Sequence, residues 1–123
     1  MPSPPFPFIL DELTPLSPRI KPMFGCYAVY VGPRIMLVLR KRKEHPGDNG
    51  VWVATSKDHH KSLRKELPGM RTIRLLGKGT TNWQVLPDGH PDFEASVMRA
   101  CELIQGGDPR IGKIPKSKST SGS

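Results

Sequence analysis

Long hydrophobic runs are missing from this chain. Its apolar stretches fall far short of the ~20 residues needed to cross a bilayer as a helix, which excludes a membrane-spanning helix and, as an expectation, a membrane partner. The first residues also lack the basic region, apolar stretch and small-residue cleavage site of a secretory leader, so the expected setting is the cytoplasm. Cysteine is scarce. Cys26 and Cys101 lie far apart, each where the local pattern suits an apolar residue, and both read as reduced, packed thiols. Acidic residues are few, 11 against 19 Lys and Arg, leaving a formal net charge of +8. That excess is uneven: residues 1–106 carry 15 cations against 10 acids, and residues 107–123 carry 4 against 1. The folded part is thus moderately basic, which permits nucleic-acid or acidic-protein partners without requiring either.

Reactive constellations are also lacking. "GKGTT" (77–81) has the look of a phosphate loop but fails the pattern: Thr72 stands where the first glycine is needed and Gly79 follows Lys78. His59 and His60 are adjacent and would diverge by about 100° on a helix. His45 and His90 lie in loops, and neither cysteine stands at metal-ligand spacing from them. Asp88, Asp92 and Glu94 surround a helix start, where acids complement the dipole. No catalytic residue, metal site or cofactor is assigned.

What the chain does have is pattern. At 123 residues it suits one domain. Seven prolines within the first 22 residues favour an extended start interrupted by short structure. "FILDELTPL" (8–16) accommodates two helical turns, with Phe8, Ile9 and Leu13 on one face. In "PMFGCYAVYVGPRIMLVLRKR" (22–42), alternating residues run to Gly32-Pro33 and on again, which predicts two strands joined by a turn. Both faces of this hairpin are apolar, so it reads as central scaffold shielded by helices, with recognition on the outside of the molecule. "VWVAT" (51–55) is a third strand. Thr55 and Asp58 resemble a capping box that opens a helix over 57–67, with His60, Leu63 and Leu67 as its buried stripe. Strands follow at 70–76 and 82–87. Pro91 suits the first turn of a last helix, whose residues Phe93, Val97, Ala100, Cys101 and Ile104 recur at helical spacing up to Gly106-Gly107.

The expected fold is therefore a two-layer α+β domain, antiparallel sheet with helices, in the order α-β-β-β-α-β-β-α. The expected organisation is a Pro-rich extension at 1–7, a domain at 8–106 and a flexible basic tail at 107–123.

"FILDELTPLSPRIKPMFGCYAVYVGPRIMLVL" resembles the N-terminal domain of the TfoX/Sxy competence-regulator family, which opens with a short helix and a Met-Phe-Gly hairpin. Met23, Phe24, Gly25, Tyr27, Tyr30 and Val31 carry the likeness; Cys26 and Gly32-Pro33 depart from it. The resemblance implies a secretion-chaperone-like fold and a regulatory role in transcription or competence, and supplies no catalytic residues.

Three functional readings follow. The leading one is a non-enzymatic module that binds a protein partner, with homodimerisation as one form. Trp52 and Trp83, each in a short strand, are its candidate interface aromatics, against a plain core role. The second is nucleic-acid binding, or contact with an acidic partner, through Arg40, Lys41, Arg42 and Lys43, the helix cations Lys61, Arg64 and Lys65, neighbouring Arg71 and Arg74, and the tail. Its bland counterpart is a solvated strand end, since successive strand residues point to opposite faces. The third is an enzyme using Cys26 with a histidine base, which requires both to converge in one pocket.

Overall fold

The structure is a computed structural model that describes residues 4–74 and 82–114. Helix α1 (Pro7–Leu13) starts with Pro7, whose fixed φ and missing N–H suit a first helical turn, and passes into a 3-10 turn at Thr14–Leu16. Four strands follow: β1 (Arg19–Met23), β2 (Cys26–Val31), β3 (Arg34–Arg40) and β4 (Gly50–Val53). Helix α2 (Lys57–Glu66), the two-residue strand β5 (Arg71–Thr72), β6 (Gln84–Pro87) and helix α3 (Phe93–Gln105) complete the order. The strands form one antiparallel sheet, β1-β2-β3-β4-β6-β5. The protein is thus mixed α+β. No helix among the described residues is long and apolar enough to cross a membrane.

The sheet has two unlike faces. On one, Val29, Leu37, Leu39, Val51, Val53 and Leu86 meet Ile9 and Leu13 of α1, Leu63 of α2 and the Phe93, Val97 and Ala100 stripe of α3. Strand alternation sends the intervening residues to the opposite face. There Ala28 pairs with Val38, Val38 with Trp52, and Trp52 with Val85. Cys26, Ala28, Ile35, Val38 and Ala54 form a separate small cluster, roofed by Met23, Tyr30, Trp52 and Trp83 rather than by a helix.

Several expectations need correction. The order gains a strand, because Arg19–Met23 pairs with β2 from Arg19↔Tyr30 to Met23↔Cys26. Proline is tolerated here because β1 is an edge: Pro22 lies in a strand with one neighbour. Thr55 does not cap α2. It is buried, and its hydroxyl donates to the Arg110 carbonyl at 2.7 Å, while Ser56 takes the cap position. Pro91 lies before α3, which begins at Phe93. Of the strand expected at 70–76, Arg71–Thr72 is paired; residues 75–81, including the "GKGTT" loop, lie outside the described residues.

Both outer boundaries also move. Phe6 packs on Phe93 with ring centroids 5.2 Å apart, so Phe6, within the Pro-rich start, packs against the core. After α3, the Gly107 amide bonds Ile104 and the Asp108 amide bonds Leu103, a Schellman closure that uses the left-handed conformation of Gly107, φ 73°. The chain then turns back. Ile111 is buried, the Gly112 amide donates to Ala54 at 2.7 Å, and Lys113 pairs with Ile35. Residues 107–114 are therefore part of the fold, and 115–123 lie outside the described residues.

Candidate functional site

The helix-free face carries a cleft of about 560 Å³, within the range of ligand sites. Met23, Phe24, Cys26, Val38, Trp52 and Trp83 give it apolar walls. Arg40, Arg42, Glu44 and His45 close one end. Each wall has a local cause. Met23 pairs with Cys26, leaving Phe24-Gly25 as a two-residue hairpin turn with φ of 50° and 76°. Positive φ at both positions is the type I′ arrangement that matches sheet twist, and it favours Asn-Gly. Phenylalanine is a poor fit at such a φ, yet Phe24 is there and is 90% exposed. Gly25 leaves room for the Arg42 guanidinium, since a Cβ on Gly25 would fall 1.6 Å from Arg42 Nη1.

The two indoles form one wall, their ring centroids 6.2 Å apart and tilted by 55°. Trp52 is oriented by its Nε1–H, which donates to the Asp48 carbonyl at 2.9 Å. Asp48 is itself buried, its carboxylate accepting from Arg71 Nη1 at 3.0 Å and from the Arg74 amide at 2.8 Å.

At the polar end, loop 41–49 is wrapped around the Arg40 side chain. Arg40 is only 2% exposed. Its Nη1 donates to the His45 carbonyl and to Asn49 Oδ1, both at 2.9 Å, and its Nη2 to the Glu44 carbonyl at 2.6 Å. Asn49 ties the loop down by accepting from the Arg42 amide and donating to the Arg42 carbonyl, each at 2.8 Å. Burial pushes the Cys26 thiol above its ordinary value, partly offset by the charges of Arg40 and Arg42 and by a hydrogen bond from Arg40. The Cys26 thiol also lies 3.8 Å from the Phe24 carbonyl.

The expected basic cluster is divided. Arg40 is buried, Lys41 pairs with Asp88 at 2.5 Å, Arg42 pairs with Glu44 at 3.2 Å, and Lys43 is exposed. Lys61, Arg64 and Lys65 belong to α2, on the other layer, where Arg64 donates to Gln84 Oε1 at 3.2 Å. They do not share a surface with Arg40. His60 is buried with Nε2 3.2 Å from the Asn82 carbonyl, and desolvation lowers its pKa. Cys101 is buried in the core and its thiol is pushed up to about 12. Among the described residues no three His, Cys, Asp or Glu side chains group as metal ligands.

Trp52 and Trp83, named from the sequence, do meet at the cleft. The hairpin also proves to be more than shielded scaffold, because helices cover one of its faces only. Met23, Phe24, Glu44 and Asn49 escaped notice as site residues. The legible signal was Phe24-Gly25, a large apolar residue in a two-residue turn. No family model, curated protein or solved structure matches this chain.

Proposed function

We propose that this chain is a non-enzymatic, TfoX-N-like module, with a secretion-chaperone-like fold, that binds a protein partner in the cytoplasm through the helix-free face of its sheet. The observation that carries this reading is the cleft beside an exposed, conformationally strained Phe24. Strain at a solvent-facing apolar residue makes no contribution to the core, so a contact outside the chain is what gives it a purpose. The neighbouring β1 edge offers backbone pairing to the same partner. The TfoX likeness, and with it a regulatory role in transcription or competence, rests on the opening helix, the hairpin residues and the element order.

Two other readings are weaker. Nucleic-acid binding loses support from the separation of Arg40 and the α2 cations onto opposite layers. An enzyme based on Cys26 gains from His45 lining the same cleft, but the raised thiol pKa reduces the thiolate such chemistry needs. The test is capture from nuclease-treated native lysate with the wild-type chain and Phe24→Asp. A specific protein partner lost in the variant supports the reading. Partners that are unchanged by the variant, or binding that disappears on nuclease treatment, refute it.

A further inference from the structure

The cleft is electrically asymmetric. Its apolar walls end at two guanidinium groups, while Glu44 is the one carboxylate among its lining residues. Arg40 has no carboxylate within ion-pair distance among the described residues; its guanidinium donates to three uncharged oxygens and to the Cys26 thiol. Two guanidinium groups facing a single, largely exposed carboxylate leave net positive potential at this end of the cleft. Arg42 holds Glu44 at 3.2 Å, but that glutamate side chain is 63% exposed. So exposed a pair adds little and is easily exchanged. The rest of the cleft suits a ring: tilted indoles accept an aromatic edge, and Met23 and Cys26 supply sulfur contacts.

Resting on the reading that this face binds protein, we propose that the segment it receives is acidic and aromatic. One large aromatic side chain enters against Trp52, Trp83 and Phe24, and an adjacent Asp or Glu carboxylate replaces Glu44 on Arg42. Charge complementarity selects this occupant. A second copy of the chain would bring its own net charge of +8 to a face already bearing Arg19 and Lys21 on its edge strand. Single-stranded nucleic acid would satisfy the arginines, but indoles tilted by 55° offer no flat platform for successive bases.

The experiment titrates the 15N-labelled full chain with three pentapeptides, Ac-Ala-Glu-Phe-Glu-Ala-NH2 and its Gln-Phe-Gln and Glu-Ala-Glu counterparts. The readout is the indole Nε1–H resonances of Trp52 and Trp83. The Glu-Phe-Glu peptide is expected to shift both indoles and to bind about tenfold more tightly than Gln-Phe-Gln, as one charge-assisted contact implies. Glu-Ala-Glu should leave them in place. Arg42→Gln should erase the preference for the acidic peptide without changing the neutral one. Glu44→Gln, which keeps Arg42 and its packing, should tighten the acidic peptide. Equal binding of the acidic and neutral peptides overturns the proposal. So does tighter binding of oligothymidylate at the same indoles, which points to nucleic acid, or an indole shift on concentrating the protein alone, which points to a second copy. If the peptides fail while Phe24→Asp still abolishes partner capture, the chemistry is wrong and the protein-binding face stands. If Phe24→Asp also leaves capture intact, the protein-binding reading falls as well.

Discussion

Arg42 occupies the space that any side chain on Gly25 would need: an added Cβ would lie 1.6 Å from Nη1 and 2.7 Å from Cζ of Arg42. The turn glycine thus does two things, supplying φ of 76° and seating a cleft arginine. Gly25→Ala should lose about 1–2 kcal/mol from the left-handed conformation alone. It should also displace Arg42 and weaken acidic-peptide binding. A urea midpoint equal to that of the parent would show that neither constraint operates.

Phe24 should trade stability for recognition. Its φ of 50° disfavours a bulky side chain, and at 90% exposure it gives the core nothing in return. Phe24→Asn places a residue that favours this turn, and should stabilise the chain by about 1 kcal/mol while weakening partner capture. A variant that is less stable, or that captures as well as wild type, counts against the role assigned here.

The two thiols should differ in reactivity, and neither should be fast. Desolvation raises both pKa values, so the thiolate fraction at neutral pH is below that of a free cysteine. Cys26, at the cleft, should react slowly with Ellman's reagent in the native protein. Cys101, pushed up to about 12 and 0% exposed, should react only on unfolding. Rapid native labelling of Cys26 would revive the enzymatic reading.

The segment after α3 should be needed for folding. Ile111 is 2% exposed in the main core. Ile111→Ala should cost about 2–5 kcal/mol, the usual range for emptying such a site. Truncation after residue 106 should cost more, because it also removes Arg110, the Gly112–Ala54 bond and the Lys113–Ile35 pairing. Retention of the full-length melting temperature on truncation would contradict this.

Arg110 should govern acid stability. It donates to Asp108 Oδ2 at 2.8 Å and also pairs with Glu66, and both carboxyl pKa values are lowered, that of Asp108 from 3.8 to about 2. A carboxyl whose folded pKa is depressed stabilises the fold above its unfolded pKa. That contribution fades as pH falls from 3.8 toward 2. Arg110→Gln should flatten the pH dependence of stability across that window and lower stability at neutral pH. An unaltered acid-unfolding profile would exclude the linkage.

Much of the fold was readable because periodicity is a local property. The 26–31 and 34–40 strands, the 57–66 helix and the 93–105 helix all declared themselves through residues spaced at two or about 3.6. Strand β1 was hidden by Pro18 and Pro22, since local rules treat proline as a breaker while a sheet edge tolerates it. Ile111 was hidden because a single apolar residue among polar neighbours has no period at all.

The candidate site was legible only in fragments. Trp52 and Trp83 stood out as aromatics, and Phe24-Gly25 as a turn, yet 30 residues separate the indoles in sequence. The run Arg40–Lys43 read as one basic unit, but alternation and loop wrapping sent its members to different fates: Arg40 inward, Lys41 to Asp88, Arg42 to Glu44.

The amino-acid pattern alone determined that antiparallel strands and helices would form, and which stripe of α2 and α3 would be buried. Tertiary structure decided that the three helices of the described residues pack on the same side of the sheet. The hairpin is apolar on both sides, so nothing local distinguishes its covered face from its bare one. Only the packing of distant helices makes that choice, and it leaves Cys26, Val38 and Trp52 facing a cleft instead of a core.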